Sequence, residues 1–358
     1  MTTGLSASLP ASSSAPNPGA GEVLAACRDL VDPALRDAVD TLPASVRDIA
    51  AYHFGWLDEH GAPTEPGTGA GKALRPALVL LAARAVGSRP DPAADAVAGA
   101  AAVELVHNFS LIHDDVIDGD VTRRHRRTAW HVFGVNAAIL AGDSLLTLAL
   151  DVLAANGGPQ ALAALRTLSG AVQALVDGQC ADIEFERRDF VGMAECLAMA
   201  ESKTGSLMGA ACAIGALFGG ARPAQVVQLR AFGERLGLAF QFTDDLLGIW
   251  GRADRTGKPV YADLRRRKKS LLVVDALGSG TPAGAALAEL YRADGELSDA
   301  DVARAAELIE ESGARQRCQE QVRQLLAQSL RRLNSAGPAD RPAADLAELA
   351  HLVTTRDH

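Results

Sequence analysis

The chain has 358 residues, enough for one large domain or two ordinary ones. Its 48% hydrophobic content can supply a sizeable core, and a net charge of −9 argues against general nucleic-acid binding. Five cysteines (Cys27, Cys180, Cys196, Cys212 and Cys318) are scattered without a CxxC pair, which favours buried thiols in a reducing cytoplasm over a disulfide framework.

Residues 1–22 are mostly Ser, Ala, Pro, Gly and Thr. They bury too little to offset their ordering entropy, so a disordered tail is expected, either passive or docking a partner. No basic region followed by an apolar block marks a signal peptide. From Val23 onward the apolar pattern is helical, as in Leu74, Leu78, Leu81 and in Leu105, Phe109, Ile112, with no alternating strand runs. Breaks at 61–71, 88–92, 156–159, 219–223, 251–259, 278–284 and 336–342 divide residues 23–358 into about a dozen helical segments of one all-α domain. The apolar stretch 207–221 is too short and too rich in Ala and Gly for a membrane span, and predicts a core helix.

The charged residues follow the same order. In Gly71-Lys72-Ala73-Leu74-Arg75-Pro76, Lys72 and Arg75 share the first turn of a helix, where backbone N–H groups favour an anion. The next helix, predicted from about Pro92 to Ile117, carries His107 two turns before Asp114 on the same face. Asp114 and Asp118 also share a face. Like charges about 4 Å apart repel by roughly 1 kcal/mol in water and roughly 4 kcal/mol at a near-surface effective dielectric. A second acidic pair, Asp244-Asp245, lies far along the chain, and basic clusters follow both: Arg123-Arg124, then Lys258 and Lys268-Lys269. Acids gathered twice inside apolar segments require a cation. All-oxygen ligands suit Mg2+, which combines a few carboxylates with substrate phosphates. The nearby arginines and lysines would hold the rest of a phosphate-bearing substrate.

The ordered set resembles the trans-isoprenyl diphosphate synthases of the polyprenyl synthetase family over roughly residues 50–275. It comprises Gly-Lys-x-x-Arg-Pro (71–76), His107, Asp-Asp-x-x-Asp (114–118) and Arg123-Arg124. Gly142-Asp143, Gly178-Gln179 with Asp182, Lys203-Thr204, Gln241-x-x-Asp-Asp (241–245), Gly257-Lys258-Pro259 and Asp263 to Lys268 follow. The resemblance implies the isoprenyl synthase fold, a large multi-helix bundle around a central cavity, and a homodimer. Asp114, Asp118 and Asp244, supported by Asp115 and Asp245, would bind Mg2+. Arg123, Lys203 and Lys258, assisted by Lys268, would hold an allylic diphosphate, with Thr204 and Gln241 near the developing cation. Lys72, Arg75, His107 and Arg124 would bind isopentenyl diphosphate without metal.

Phe109, five residues before Asp114, is the position at which an aromatic limits growth in relatives with this short motif. That implies a C20 product, geranylgeranyl diphosphate, with C15 farnesyl diphosphate next. Gly248 replaces the last Asp of the second motif, Ala73 an Arg, His125 a Gly after the double Arg, and Leu272 a Pro. Asp118 rather than Asp120 is taken as the third acid, because Arg123 follows it at the uninserted spacing. A terpene cyclase or a non-catalytic regulatory subunit are the alternatives, but the second diphosphate site and the intact first acidic motif favour chain elongation.

Overall fold

Glycines and prolines divide the chain largely where the sequence suggests. The structure, a computed structural model, describes residues 19–65, 67–69, 71–87, 92–251, 260–293 and 295–355. Helices α1 (Ala20–Asp40), α2 (Ala44–His53) and α3 (Leu74–Val86) lead to α4 (Pro92–Ile117). A short hairpin of β1 (Thr122–Arg123) and β2 (Arg126–Arg127) precedes α5 (Ala129–Phe133), α6 (Val135–Ala155) and α7 (Gly158–Glu186). Helix α8 (Met193–Ala200) passes through a π-helical turn, Glu201–Gly205, into α9 (Ser206–Phe218), and α10 (Pro223–Trp250) follows. The remaining helices are α11 (Ala262–Arg265), α12 (Leu271–Leu277), α13 (Pro282–Arg292), α14 (Asp299–Glu311), α15 (Ala314–Ser335) and α16 (Asp340–Thr354). The architecture is all-α, as expected.

Helices α3, α4 and α9 form the centre. They are apolar around most of their circumference, the pattern of buried helices rather than surface ones. Small residues bring them close: a Cβ added at Gly99 would stand only 2.7 Å from Ile214 and 3.0 Å from Phe218. Helix α9 is buried along almost its whole length, matching the core helix predicted for 207–221. A second apolar cluster gathers α8, the C-terminal half of α10 and α12 to α15. Helix α10 belongs to both clusters, giving Leu229, Phe232 and Leu236 to one and Leu238, Phe242 and Leu246 to the other. By length and composition alone α4 and α6 could each cross a membrane, but 67% of the apolar window of α4 is packed inside the protein, against 39% for α6.

Two local expectations change. Helix α1 begins at Ala20, ahead of the expected boundary at Val23: Ala20 is buried and its N–H donates to Glu348 Oε1 at 2.8 Å. Residues 1–18 of the expected tail lie outside the described residues. No strand is expected after Asp118, but residues 122–127 form the β1–β2 hairpin. Its turn residues Arg124 and His125 hold φ of 51° and 62°, the left-handed conformation that a two-residue hairpin turn requires. Side chains there cost about 1 kcal/mol each, and without an Asn-Gly pair the stretch carries no hairpin signal.

Candidate active site

The C-terminal half of α4 forms one wall of a cavity of about 860 Å3. Ser110, Leu111, Asp114 and Asp118 line it, sharing one helix face. Burial, with the like charge of Asp118, raises the Asp114 pKa, against the pull of Lys203. Asp115 lies off this wall and is buried. Its Oδ1 accepts from Arg123 Nε at 2.7 Å and is 2.7 Å from Arg123 Nη2, so this carboxylate anchors an arginine that lines the cavity.

Helix α10 supplies the facing wall with Gln241, Asp244, Asp245 and Gly248. Thr204 Oγ1 donates to Gln241 Oε1 at 2.8 Å, and Gln241 Nε2 donates to Asp245 Oδ1 at 2.8 Å. The Leu271 N–H donates to Asp245 Oδ2 at 2.9 Å. Burial pushes the Asp245 pKa to about 7, although these hydrogen bonds oppose it. A Cβ at Gly248 would stand 3.8 Å from Asp263 Oδ2, so the Asp263 carboxylate borders the place of the missing acid. Asp263 also lines the cavity.

The π-helical turn carries Lys203 and Thr204 between these walls. Two glycines admit its backbone: a Cβ at Gly178 would stand 2.5 Å from Lys203 N, and one at Gly237 would stand 2.7 Å from Gly205 Cα. Single π turns inside helices mark functional sites often enough to direct attention to these residues. Lys203 Nζ donates to Asp182 Oδ2 at 2.7 Å, while Lys268 Nζ is 3.0 Å from the same oxygen and 3.9 Å from Asp118 Oδ2. Burial alone would raise the Asp182 pKa, but the two ammonium groups outweigh it and hold the carboxyl below its usual range.

A third wall is cationic. Gly71, Lys72, Arg75, Glu104, His107, Arg123 and Arg124 line it. Arg75 Nη1 lies 3.1 Å from His107 Nε2. Arginine only donates, so Nε2 is the acceptor and the proton of the neutral ring sits on Nδ1. Burial, reinforced by Arg75 and Arg124, holds the His107 pKa well below its usual value. Glu104 is the buried acid facing these arginines, and burial raises its pKa against them.

Most predicted site residues therefore meet on one cavity. Lys258 lies outside the described residues. Phe109 stands behind the wall, its ring centroid 4.8 Å from that of His113, while its neighbours Ser110 and Leu111 face the space. Sequence reasoning assigned no role to Asp182, Glu104 or Asp263 at the site. A carboxylate beside two lysines would have been the signal, but Asp182 reaches them only through the fold. The donors Asp114, Asp118 and Asp244 are all carboxylates on two walls, which fits Mg2+. Among the described residues no three His, Cys, Asp or Glu side chains already close on one point.

Known proteins resemble this chain in sequence and fold. The Polyprenyl synthetase family model matches residues 63–309. A (2E,6E)-farnesyl diphosphate synthase of Mycobacterium tuberculosis is 47% identical over 337 residues, covering 93% of this chain and 92% of that one. A geranylgeranyl diphosphate synthase of the same organism is 44% identical over 290 residues, or 80% of this chain and 81% of that one. The crystal structure of a polyprenyl synthetase from Streptomyces coelicolor A3(2) superposes with a TM-score of 0.87 at 45% identity, covering 93% of this chain and 99% of that one. With the family model spanning most of the chain and the acids and cations on one cavity, this protein belongs to the polyprenyl synthetase family.

Proposed function

We propose that the protein is a Mg2+-dependent trans-prenyltransferase that condenses isopentenyl diphosphate with allylic diphosphates, with geranylgeranyl diphosphate (C20) as its main product. One observation carries this reading: two separate cationic groups border one cavity, Lys203 with Lys268 beside the acids and Lys72 with Arg75 and Arg124 around His107. A cyclase needs only the first, and relatives named as diphosphate synthases lend no support to a cyclase or a regulatory subunit. Farnesyl diphosphate (C15) is the second reading, favoured by the 47% identical farnesyl diphosphate synthase.

Mg2+ held by Asp114, Asp118 and Asp244 would supply Lewis-acid neutralisation of the leaving diphosphate. Lys203 and Lys268, drawn from Asp182 to phosphate oxygens, take up charge as the allylic C–O bond breaks, with Arg123 lining the same cavity; the resemblance gives Lys258 the same task. Gln241 Oε1, fixed by Thr204, presents a negative dipole end to the developing cation. Leu111, Leu175, Leu207 and Phe240 keep water from it. Arg75, Arg124 and Lys72 orient the second diphosphate so that the isopentenyl double bond attacks the allylic carbon. The released proton passes to the departing diphosphate, so no protein base is required.

The reading includes a single all-α domain and a cytoplasmic homodimer. Exposed Val135, Ile139 and Leu140 on α6, with Leu162 and Val176 on α7, support the dimer as an apolar strip for a second copy to cover. All the cysteines are free, and four of them are buried, consistent with a reducing compartment. The tail is low in large apolar residues and is read as a passive segment, with docking of a partner as the alternative. Product analysis with Mg2+, and after its removal by EDTA, tests the activity.

A further inference from the structure

The cationic wall rests on a turn that does not hold itself. Gly71, Lys72 and Ala73 precede α3, and Ala73 adopts the left-handed conformation, φ 50°, just before Leu74 starts the helix. No side chain caps this helix start. Arginines from elsewhere grip the carbonyls of the turn. Arg124 Nη1 donates to the Gly69 oxygen at 3.1 Å, and Arg28 Nη2, from α1, donates to the Gly71 oxygen at 2.6 Å. The turn is also tight against Arg124: a Cβ at Gly71 would stand 2.7 Å from Arg124 Nη2.

Arg28 is well placed for this task. Its neighbours Cys27 and Val31 are buried in the core, so α1 is a fixed base for the side chain. Gly71 lines the cavity, and its carbonyl oxygen is held by Arg28, which is not among the lining residues. A carbonyl free to rotate inward would present its negative end to a diphosphate. Arg28 also adds positive charge near the wall: burial chiefly lowers the Arg124 pKa, and Arg123 and then Arg28 add to that shift. Helix α1 lies outside residues 63–309, the part that the family model matches.

We infer that Arg28 is a positioning residue for isopentenyl diphosphate: by tethering the Gly71 carbonyl it fixes the turn that aims Lys72 and Arg75 at the diphosphate. The inference rests on the reading of this wall as the second diphosphate site.

The test is steady-state kinetics of the full chain carrying Arg28→Ala, Arg28→Gln or Arg28→Lys, with Arg75→Ala as reference. Each substrate is varied while the other is saturating. Arg28→Ala should raise KM for isopentenyl diphosphate about tenfold, which corresponds to about 1.4 kcal/mol. Its kcat and its allylic KM should stay within about twofold of the parent. Arg28→Gln and Arg28→Lys keep a donor and should recover most of the loss. An unchanged KM for isopentenyl diphosphate in Arg28→Ala, with a raised one in Arg75→Ala, overturns the tether alone. Equal increases for both substrates with a lower kcat mean general disruption and also overturn it. If Arg75→Ala too leaves that KM unchanged, the second-site reading falls and this inference falls with it.

Discussion

Asp115 separates two roles that its sequence neighbourhood merges. It stands in the first acidic motif, yet its carboxylate contacts Arg123 Nε and Nη2, both at 2.7 Å, with only 1% of the side chain exposed against 18% for Arg123. Asp115→Asn keeps the shape and an acceptor but removes the charge. Breaking a buried pair from one side costs about 3–5 kcal/mol. Because the amide still accepts, the loss should fall nearer the roughly 1.5–3 kcal/mol of a hydrogen bond to a charged group. Urea unfolding should therefore show a drop of about 2 kcal/mol, and a cycle with Arg123→Gln should show most of it as coupling between the two. In kinetics, Asp115→Asn should raise the allylic KM while leaving the Mg2+ concentration for half-maximal rate unchanged. Asp114→Asn, which removes a proposed Mg2+ ligand, should shift that Mg2+ dependence and lower kcat at least about a hundredfold. If Asp115→Asn shifts the Mg2+ requirement as far as Asp114→Asn does, Asp115 is itself a ligand and the anchoring account is wrong.

Phe109→Ala should open space behind Ser110 and shift the product toward longer chains, read by chromatography of the dephosphorylated alcohols. An unchanged product with lower stability would make Phe109 a packing residue only. His53 gives a pH prediction. Burial, reinforced by Arg124 and Arg123, pushes its pKa from 6.5 to about 3 in the folded state. The unfolded chain takes up that proton near pH 6.5 and the folded one does not. This contribution to stability is therefore present above pH 6.5 and is lost as pH falls toward 3, by up to about 1.4 kcal/mol per unit. Buried acids such as Glu104 act in the opposite sense in every variant, so the readout is the stability gap between the parent and His53→Gln. It should narrow by about 1 kcal/mol from pH 6.5 to 5.5, and a constant gap would contradict the burial argument.

The acidic and basic residues were legible because helices convert spacing into a shared face. Asp114 and Asp118 need no tertiary information to be placed together. Lys72 and Arg75 break the expectation of a shared helical turn: Lys72 precedes α3, which starts at Leu74 after the left-handed Ala73, so a non-helical turn brings Lys72 to the cavity. The same rule, applied fully, moves Phe109. Each residue advances about 100° around a helix, so five residues put Phe109 about 140° from Asp114, whereas Ser110 is only about 40° away. Asp115 is about 100° off the metal face for the same reason. Other features had no local signal. The π-helical turn has no residue signature, and its room comes from Gly178 and Gly237 on other helices. Lys203 and Lys268 are distant in sequence from Asp182 and converge on it only through α7, the π turn and the segment after α11. The hairpin was hidden because His125, rather than glycine, takes the left-handed position.

Mass identification of the diphosphate formed from isopentenyl diphosphate and each allylic starter tests the central claim most directly. With Mg2+ present, the account predicts products longer by whole five-carbon units that accumulate at C20, and none after EDTA. Cyclised hydrocarbon, free alcohol from simple hydrolysis, or undiminished turnover without a divalent cation would contradict it.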